Sequence, residues 1–327
     1  MIKVLIIRFS SIGDIVLTTP IIRCLKKEFG ERVSIDYLTK KQYASLLEAN
    51  PYLNTIYTIE ESTREVQTIL KENAYDYIVD LHKNVRSKRI AKKLSGAYST
   101  FFKLNKEKWL LTNFKVDRMP NIHIVDRYFE ALTPLGVRND GQGIDYFIPE
   151  NAYYSIEQVA EDMPFIAVAI GAQFATKQMP FDKTIAVLKK TDMPLVLLGG
   201  KDDEEKALRI EKALENREVV NLCGKLNLNQ SASVLKQAKV LLTHDTGLMH
   251  IAAAFGIKIV SVWGNTVPKL GMYAYLPKNP SLLKTHEVSG LSCRPCSKIG
   301  YQKCPKKHFK CMQLQDEDAI AMDLNIL

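Results

Sequence analysis

Lys3–Gly30 reads KVLIIRFSSIGDIVLTTPIIRCLKKEFG. Lys3–Phe9 is a short, nearly unbroken apolar run, the pattern of a strand buried on both faces. From Asp14 to Phe29 the apolar residues Ile15, Leu17, Ile21, Ile22 and Leu25 recur at helical spacing. Gly30 stands where a C-terminal glycine ends a helix. Ser10–Asp14 therefore joins a buried strand to a helix, which puts it at the carboxyl edge of a sheet.

The same alternation runs outward from this unit. Val33–Leu38 reads as a strand, Lys41–Ala49 as a short helix, and Thr55–Ile59, Ser62–Asn73 and Tyr75–Leu81 continue the series. Arg86–Leu94 is a strongly basic helix, and His123–Leu135 is a helix ended by Gly136. A polar stretch, Arg138–Gly143, and the apolar-poor stretch Pro149–Pro164 then interrupt the pattern. It restarts with a strand at Phe165–Ile170, a helix at Phe181–Lys190, a strand at Leu195–Leu198 and a helix at Asp202–Leu214. Val219–Leu222, Gln230–Gln237, Lys239–Thr243, Gly247–Phe255 and Ile257–Trp263 complete it. Strands separated by helices imply right-handed βαβ units and parallel sheets. The expected fold is α/β, with two Rossmann-like domains, residues 1–150 and 151–327, facing a cleft that serves as the default ligand site.

Composition narrows the class. With 327 residues, 46% hydrophobic and 25% charged, the chain is ordinary globular protein, which excludes disorder and a disulfide miniprotein. No apolar run approaches the ~20 residues of a bilayer span. Arg8 and Asp14 break the N-terminal apolar stretch, so no signal peptide is expected. Six cysteines in so long a chain point to a reducing compartment, and a cytoplasmic protein is expected. The net charge of +9 suits an anionic partner, or simply solubility. Neither zinc-finger spacing nor an RNA-recognition signature is present, so nucleic acid is not the expected partner.

Four turns carry candidate chemistry. Ser10-Ser11-Ile12-Gly13-Asp14 offers two hydroxyls, a glycine and a carboxylate at a helix start. Asp14 equally suits a plain helix cap. The turn lacks both the dinucleotide and the phosphate-loop glycine patterns. Thr176-Lys177, after the first strand of the second half, suits an anion or a solvated surface. Gly199-Gly200-Lys201-Asp202-Asp203 could hold ribose hydroxyls on a carboxylate, or merely match the helix dipole. Asp245-Thr246-Gly247-Leu248-Met249-His250 opens a helix of small residues, so its backbone N–H groups form a ready anion site.

Ser10-Ser11-x-Gly13-Asp14, Ala175-Thr176-Lys177 and Asp245-Thr246-Gly247-x-x-His250-x-Ala252-Ala253-Ala254-x-Gly256, in this order, resemble glycosyltransferase family 9, which includes the ADP-heptose:lipopolysaccharide heptosyltransferases. The resemblance implies a GT-B fold and inverting, metal-independent transfer, with no cofactor beyond the nucleotide sugar. By it, Asp14 is the general base and Lys177 contacts the donor diphosphate. Thr176, Asp203, Leu226, Asp245, Thr246, Gly247 and His250 line the donor site, with Asp203 at the ribose and Leu226 near the base. Ser10, Ser11, Gly13, Arg86, Arg89 and Arg127 fall on the acceptor side. The chain departs from the family pattern at Gln178 and Met179, where an aromatic and a basic residue are usual, and at Asn265, where proline is common.

The implied partners are a nucleotide-sugar donor, an anionic lipid-linked core oligosaccharide acceptor, and the cytoplasmic face of the inner membrane as a peripheral contact. Arg86, Arg89 and Lys93 are spaced to share one helix face toward such an acceptor; a solvated basic face is the alternative. A glycosyltransferase using another nucleotide sugar, or a non-catalytic glycan-binding relative, is the rival reading; retention of both Asp14 and Lys177 favours an enzyme. Cys293-x2-Cys296-x7-Cys304-x6-Cys311 is spaced as a candidate structural zinc site, with reduced thiols or disulfides as alternatives.

Overall fold

The computed structural model describes residues 1–156 and 163–326. The chain forms two compact units, one of residues 1–103 and 122–149, the other of residues 104–121 and 150–327. Residues 104–121, expected in the first half, thus belong to the second. Their Leu111 and Met119 bury themselves with Leu270, and Lys115 donates to the Pro295 carbonyl (2.7 Å). The expected linker, 149–164, falls in part on 157–162, which lie outside the described residues.

Unit 1 is a parallel sheet of β1 (Ile2–Ile7), β2 (Val33–Lys40), β3 (Thr55–Ile59), β4 (Tyr77–Asp80) and β5 (Ala97–Thr100) in the order β3-β2-β1-β4-β5. Its helices are α1 (Ile12–Val16), α2 (Thr19–Phe29), α3 (Gln67–Glu72), α4 (Val85–Ala91) and, after residues 104–121, α6 (Ile124–Tyr128). Leu5, Ile7 and Phe9 pack with Leu38, Ile59, Leu70 and Ile90 in its core. The helix expected over Asp14–Phe29 is broken in two. Pro20 has no N–H to offer the Val16 carbonyl. The Thr19 hydroxyl takes that carbonyl instead (2.8 Å), and the Thr18 hydroxyl takes Ile15's (2.6 Å). The helix expected over His123–Leu135 likewise passes into a 3-10 turn, Phe129–Leu135, which contains Pro134.

Unit 2 begins with α5 (Asn105–Trp109), which runs into a π-helical turn, Leu110–Phe114. Its parallel sheet is built of β6 (Ile166–Ala169), β7 (Leu195–Leu198), β8 (Val219–Asn221), β9 (Val240–His244), β10 (Lys258–Trp263) and β11 (Leu283–Glu287), in the order β11-β10-β9-β6-β7-β8. The helices are α7 (Phe181–Lys189), α8 (Glu204–Ala213), α9 (Leu228–Gln237), α10 (Gly247–Phe255), α11 (Lys310–Gln313) and α12 (Glu317–Asn325). Ile166, Val168, Leu195, Leu197, Val240 and Val260 form the centre of its core, joined by Met312, Ile320 and Leu324 from the tail. Among the described residues no helix is long and apolar enough to cross a membrane.

Candidate functional site

In unit 1 the chain leaves β1 for β2 on one side and later returns to β4 on the other. The crevice beyond the carboxyl ends of such a strand pair is where open parallel sheets bind ligands. β1 delivers Arg8–Asp14 to it and β4 delivers Leu81–Arg86. Arg8, 8% exposed, ties the two together: Nη2 meets Asp14 Oδ1 at 2.6 Å, Nη1 donates to the Leu81 carbonyl (2.6 Å) and Nε to the Ser10 carbonyl (2.7 Å). Burial works against the Arg8 cation, but the Asp14 carboxylate and other neighbours outweigh it and its pKa is raised. The other Asp14 oxygen accepts from the Ser11 hydroxyl (2.8 Å) and the Ser11 N–H (3.2 Å). Asp14 is thus a helix cap and the carboxylate of this edge at once, with its side chain 20% exposed. Gly13 is buried in α1, and Ser10 is half-buried.

The β4 side of the crevice is shaped by Asp80, which is fully buried and was not marked by the sequence reading. It accepts the N–H groups of His82 (3.0 Å) and Lys83 (2.7 Å) and the hydroxyls of Ser87 (2.7 Å) and Tyr98 (3.0 Å). His82 packs on the Phe9 ring, centroids 5.0 Å apart. Burial, then the Arg8 charge, push its imidazole down to about 3. Arg86 and Arg89 are exposed on α4. That helix stops at Ala91, so Lys93 does not share its face as expected; it lies in the following turn and donates to Gln67 (2.7 Å).

Arg127 in α6 is 2% exposed. Nη1 donates to the Phe102 carbonyl (3.3 Å), while Nε and Nη2 have no hydrogen-bond partner among the described residues. Burial lowers its pKa. A buried guanidinium with open N–H groups is costly unless something anionic fills them.

In unit 2 the chain runs from β6 to β7 and β8, then crosses to β9 on the other side of β6, so the equivalent crevice lies between β6 and β9. Lys177, after β6, meets Asp245, after β9, at 2.6 Å, with both side chains mostly buried. Asp245 Oδ2 also accepts the Thr266 hydroxyl (3.0 Å). Thr246 is the N-cap residue of α10, but its side chain makes no cap hydrogen bond; its hydroxyl lies 3.1 Å from that of Thr243. Gly247 and the residues after it therefore keep their N–H groups directed out of the helix beside the ion pair. His250 is buried inside α10.

Other expected donor residues are placed differently. The Thr176 hydroxyl is engaged by the backbone of Tyr301, donating to its carbonyl (2.9 Å) and accepting its N–H (2.8 Å), so it holds the tail rather than an open site. The Asp203 carboxylate accepts the Gly200 N–H (2.9 Å) and fills the space beside Gly171 and Gly199; a Cβ at either glycine would collide with it. Leu226 is half-buried in the turn between β8 and α9. The sequence reading missed Lys206, one helical turn after Asp203. Its amine donates to the Ile170 carbonyl (3.0 Å) and Gln178 (3.3 Å), and burial lowers its pKa, with Asp203 opposing. Of the departure positions, Gln178 accepts from Lys206 (3.3 Å) and the Met179 N–H donates to His244 (2.9 Å), whereas the side-chain amide of Asn265, 1% exposed, has no hydrogen-bond partner among the described residues.

The four tail cysteines lie within electrostatic reach of one another but are not set in the arrangement the zinc reading expected. Among the described residues no group of His, Cys, Asp and Glu is arranged to hold a metal ion. Cys293 faces His308 (3.9 Å), the Cys296 thiol donates to the Cys293 carbonyl (3.1 Å), and Cys311 is drawn into the sheet core. All six cysteines are free thiols.

Two parallel α/β units, each with charged side chains at its strand crossover, define the class. Residues 63–300 match the model for glycosyltransferase family 9 (heptosyltransferase); the chain belongs to this family and is a glycosyltransferase. It is 24% identical to lipopolysaccharide heptosyltransferase 3 of Escherichia coli, over 78% of this chain and 81% of that one. It is 25% identical to lipooligosaccharide heptosyltransferase 2 of Haemophilus ducreyi, over 81% of this chain and 84% of that one. Among solved structures it is similar to E. coli heptosyltransferase WaaC with ADP, with a TM-score of 0.70, 19% identity and 99% of each chain covered. The fold is GT-B.

Proposed function

We propose that the protein transfers a heptose from ADP-heptose to an inner-core sugar of lipopolysaccharide, with inversion and without a metal ion. The observation that carries this reading is the second crevice, where a lysine and an uncapped helix N-terminus stand together: Lys177 beside Thr246 and Gly247. That pairing suits a diphosphate leaving group, because the ammonium and the backbone dipoles supply the positive charge a metal would otherwise bring. The names of the relatives supply the sugar and the acceptor.

In this reading the acceptor hydroxyl oxygen attacks the anomeric carbon as the bond from that carbon to the diphosphate oxygen breaks. The hydroxyl proton passes to Asp14, the general base. The electron pair leaves with ADP, whose growing charge Lys177 and the α10 N–H groups stabilise. Arg8 and Ser11 hold the carboxylate for this step. The open N–H groups of Arg127 take an acceptor phosphate or carboxylate, and Arg86 and Arg89 attract the acceptor.

The test is ADP release from ADP-heptose, with and without heptose-deficient lipopolysaccharide, in buffer containing EDTA. Acceptor-dependent release is expected. Release only from another nucleotide sugar would transfer the reading to that donor, and loss of activity in EDTA restored by a divalent ion would overturn the metal-free mechanism.

A further inference from the structure

Residues 104–121 present an aromatic surface that the transfer reaction does not use. α5 runs directly into the π turn, in which hydrogen bonds reach five residues along the chain. Residues five apart are thereby brought to one side, and the rings of Trp109 and Phe114 meet with centroids 4.9 Å apart. The opposite side is spent on anchoring, through Leu111 and Met119 against Leu270, the Lys115–Pro295 bond and an ion pair between Asp117 and Lys269. The ring pair therefore faces outward, Trp109 54% and Phe114 60% exposed. The flanking charge is cationic. Lys106, three residues before Trp109, and Arg118, four after Phe114, are exposed; of the segment's two acids, Asp117 is paired with Lys269 and Glu107 is half-buried; and Pro295 leads into residues 298–310, which carry five exposed lysines and no acidic residue.

We propose that this segment docks on an anionic phospholipid surface, with Trp109 and Phe114 entering the headgroup layer and Lys106, Arg118 and the lysines of 298–310 meeting lipid phosphates. Aromatic side chains of this kind settle at the membrane–water boundary, and lysine and arginine beside them are drawn to anionic headgroups. A protein partner fits less well, because the cores of protein interfaces are poor in lysine. The inference concerns a surface and stands whether or not the acceptor is a lipid-linked saccharide.

The chain supplies its own probe. Of its two tryptophans, Trp263 is 1% exposed, so a change in emission on docking reports Trp109. The experiment mixes the full chain with vesicles of phosphatidylcholine, with and without phosphatidylglycerol. With phosphatidylglycerol, the protein should co-sediment, its emission should shift to the blue, and lipids brominated near the headgroup should quench it. Added salt should weaken binding. Trp109→Ala/Phe114→Ala should lower vesicle affinity by about tenfold or more, and Lys106→Gln/Arg118→Gln should lower it several-fold and flatten the salt dependence. Both variants should keep the parent's melting temperature and ADP affinity. No binding to phosphatidylglycerol vesicles overturns the proposal, as does binding undiminished in the aromatic variant. Self-association without lipid that the aromatic variant abolishes would assign the surface to a second copy of the chain and equally overturn it.

Discussion

Lys177 Nζ lies 2.6 Å from Asp245 Oδ2, and this ion pair links the segments that follow β6 and β9, the two strands at which the second sheet changes direction. The lysine is held in place before any diphosphate arrives, by a carboxylate that the Thr266 hydroxyl also holds. In the proposed reaction, a diphosphate bound at Lys177 would exchange one anionic partner of the lysine for another, which spares the cost of ordering a free lysine side chain.

Lys177→Ala should therefore weaken ADP binding by roughly tenfold to a hundredfold, the range for a lost hydrogen bond to a charged group. Isothermal titration with ADP measures it. Parent-like affinity in the variant would remove Lys177 from the diphosphate site.

Asp14→Asn keeps the shape of the side chain but takes no proton from the acceptor. Turnover should fall by about two to four decades, as is usual when a general base is lost, with ADP affinity unchanged in titration. The variant keeps an oxygen for the Ser11 N–H, so the α1 cap survives. Parent-like turnover would leave Asp14 a cap alone.

The acceptor role proposed for Arg127 sets stability against function. Replacing a poorly paired buried charge with an apolar side chain of similar length is often neutral or stabilising. Arg127→Met should thus keep or raise the melting temperature while raising the acceptor KM by about tenfold or more. A lowered melting temperature with unchanged KM would make Arg127 a structural residue.

α4 offers a second acceptor test. Arg86→Gln/Arg89→Gln should raise the acceptor KM several-fold at low salt and flatten its salt dependence. Lys93→Gln should do neither, since that amine is bonded to Gln67 beyond the helix end. Kinetics at two ionic strengths decide the matter, and equal salt slopes for the double variant and the parent would count against contact at α4.

His244, 5% exposed, accepts the Met179 N–H, and burial, then Lys206, push its imidazole down to about 3. In the unfolded chain it titrates near ~6.5. Below that pH the unfolded state takes up a proton that the folded state refuses until about 3, so this contribution to stability is complete above ~6.5 and declines as pH falls through the window. His82 adds the same dependence in unit 1. Melting temperature should drop between neutral pH and pH ~4, less steeply in His244→Gln; identical slopes would clear His244.

The alternation of apolar runs and helical spacing carried both sheets, because parallel strands buried on two faces leave a mark in any single sequence. Two of the four edge strands did not. Ala97–Thr100 and Leu283–Glu287 are half-exposed and mixed in composition, so β5 and β11 were missed. The placement of Asp14, Lys177 and Asp245 on strand-to-helix segments was legible, although only Asp245 follows its strand at once; Asp14 lies seven residues past β1 and Lys177 eight past β6. Asp80, Lys206 and the Arg8–Asp14 pair were not, because their meaning depends on which loops the crossovers bring together. Thr176 misled for the opposite reason: it follows a strand and sits beside Lys177, but Tyr301 takes its hydroxyl from far along the chain.

That bracket between Thr176 and Tyr301 limits how the family member can drift. The turn that carries Lys177 takes its position from a residue of the tail, and the stretch after β11 is held both at that endpoint and along its length, where Arg294 donates to the Trp263, Gly264 and Thr266 carbonyls. Substitutions, insertions and deletions between β11 and residue 301 are tolerable only if the chain still returns the Tyr301 peptide to the Thr176 hydroxyl. The tail can therefore vary among descendants of this sequence only at positions that leave both the Tyr301 peptide and the Arg294 bonds in place.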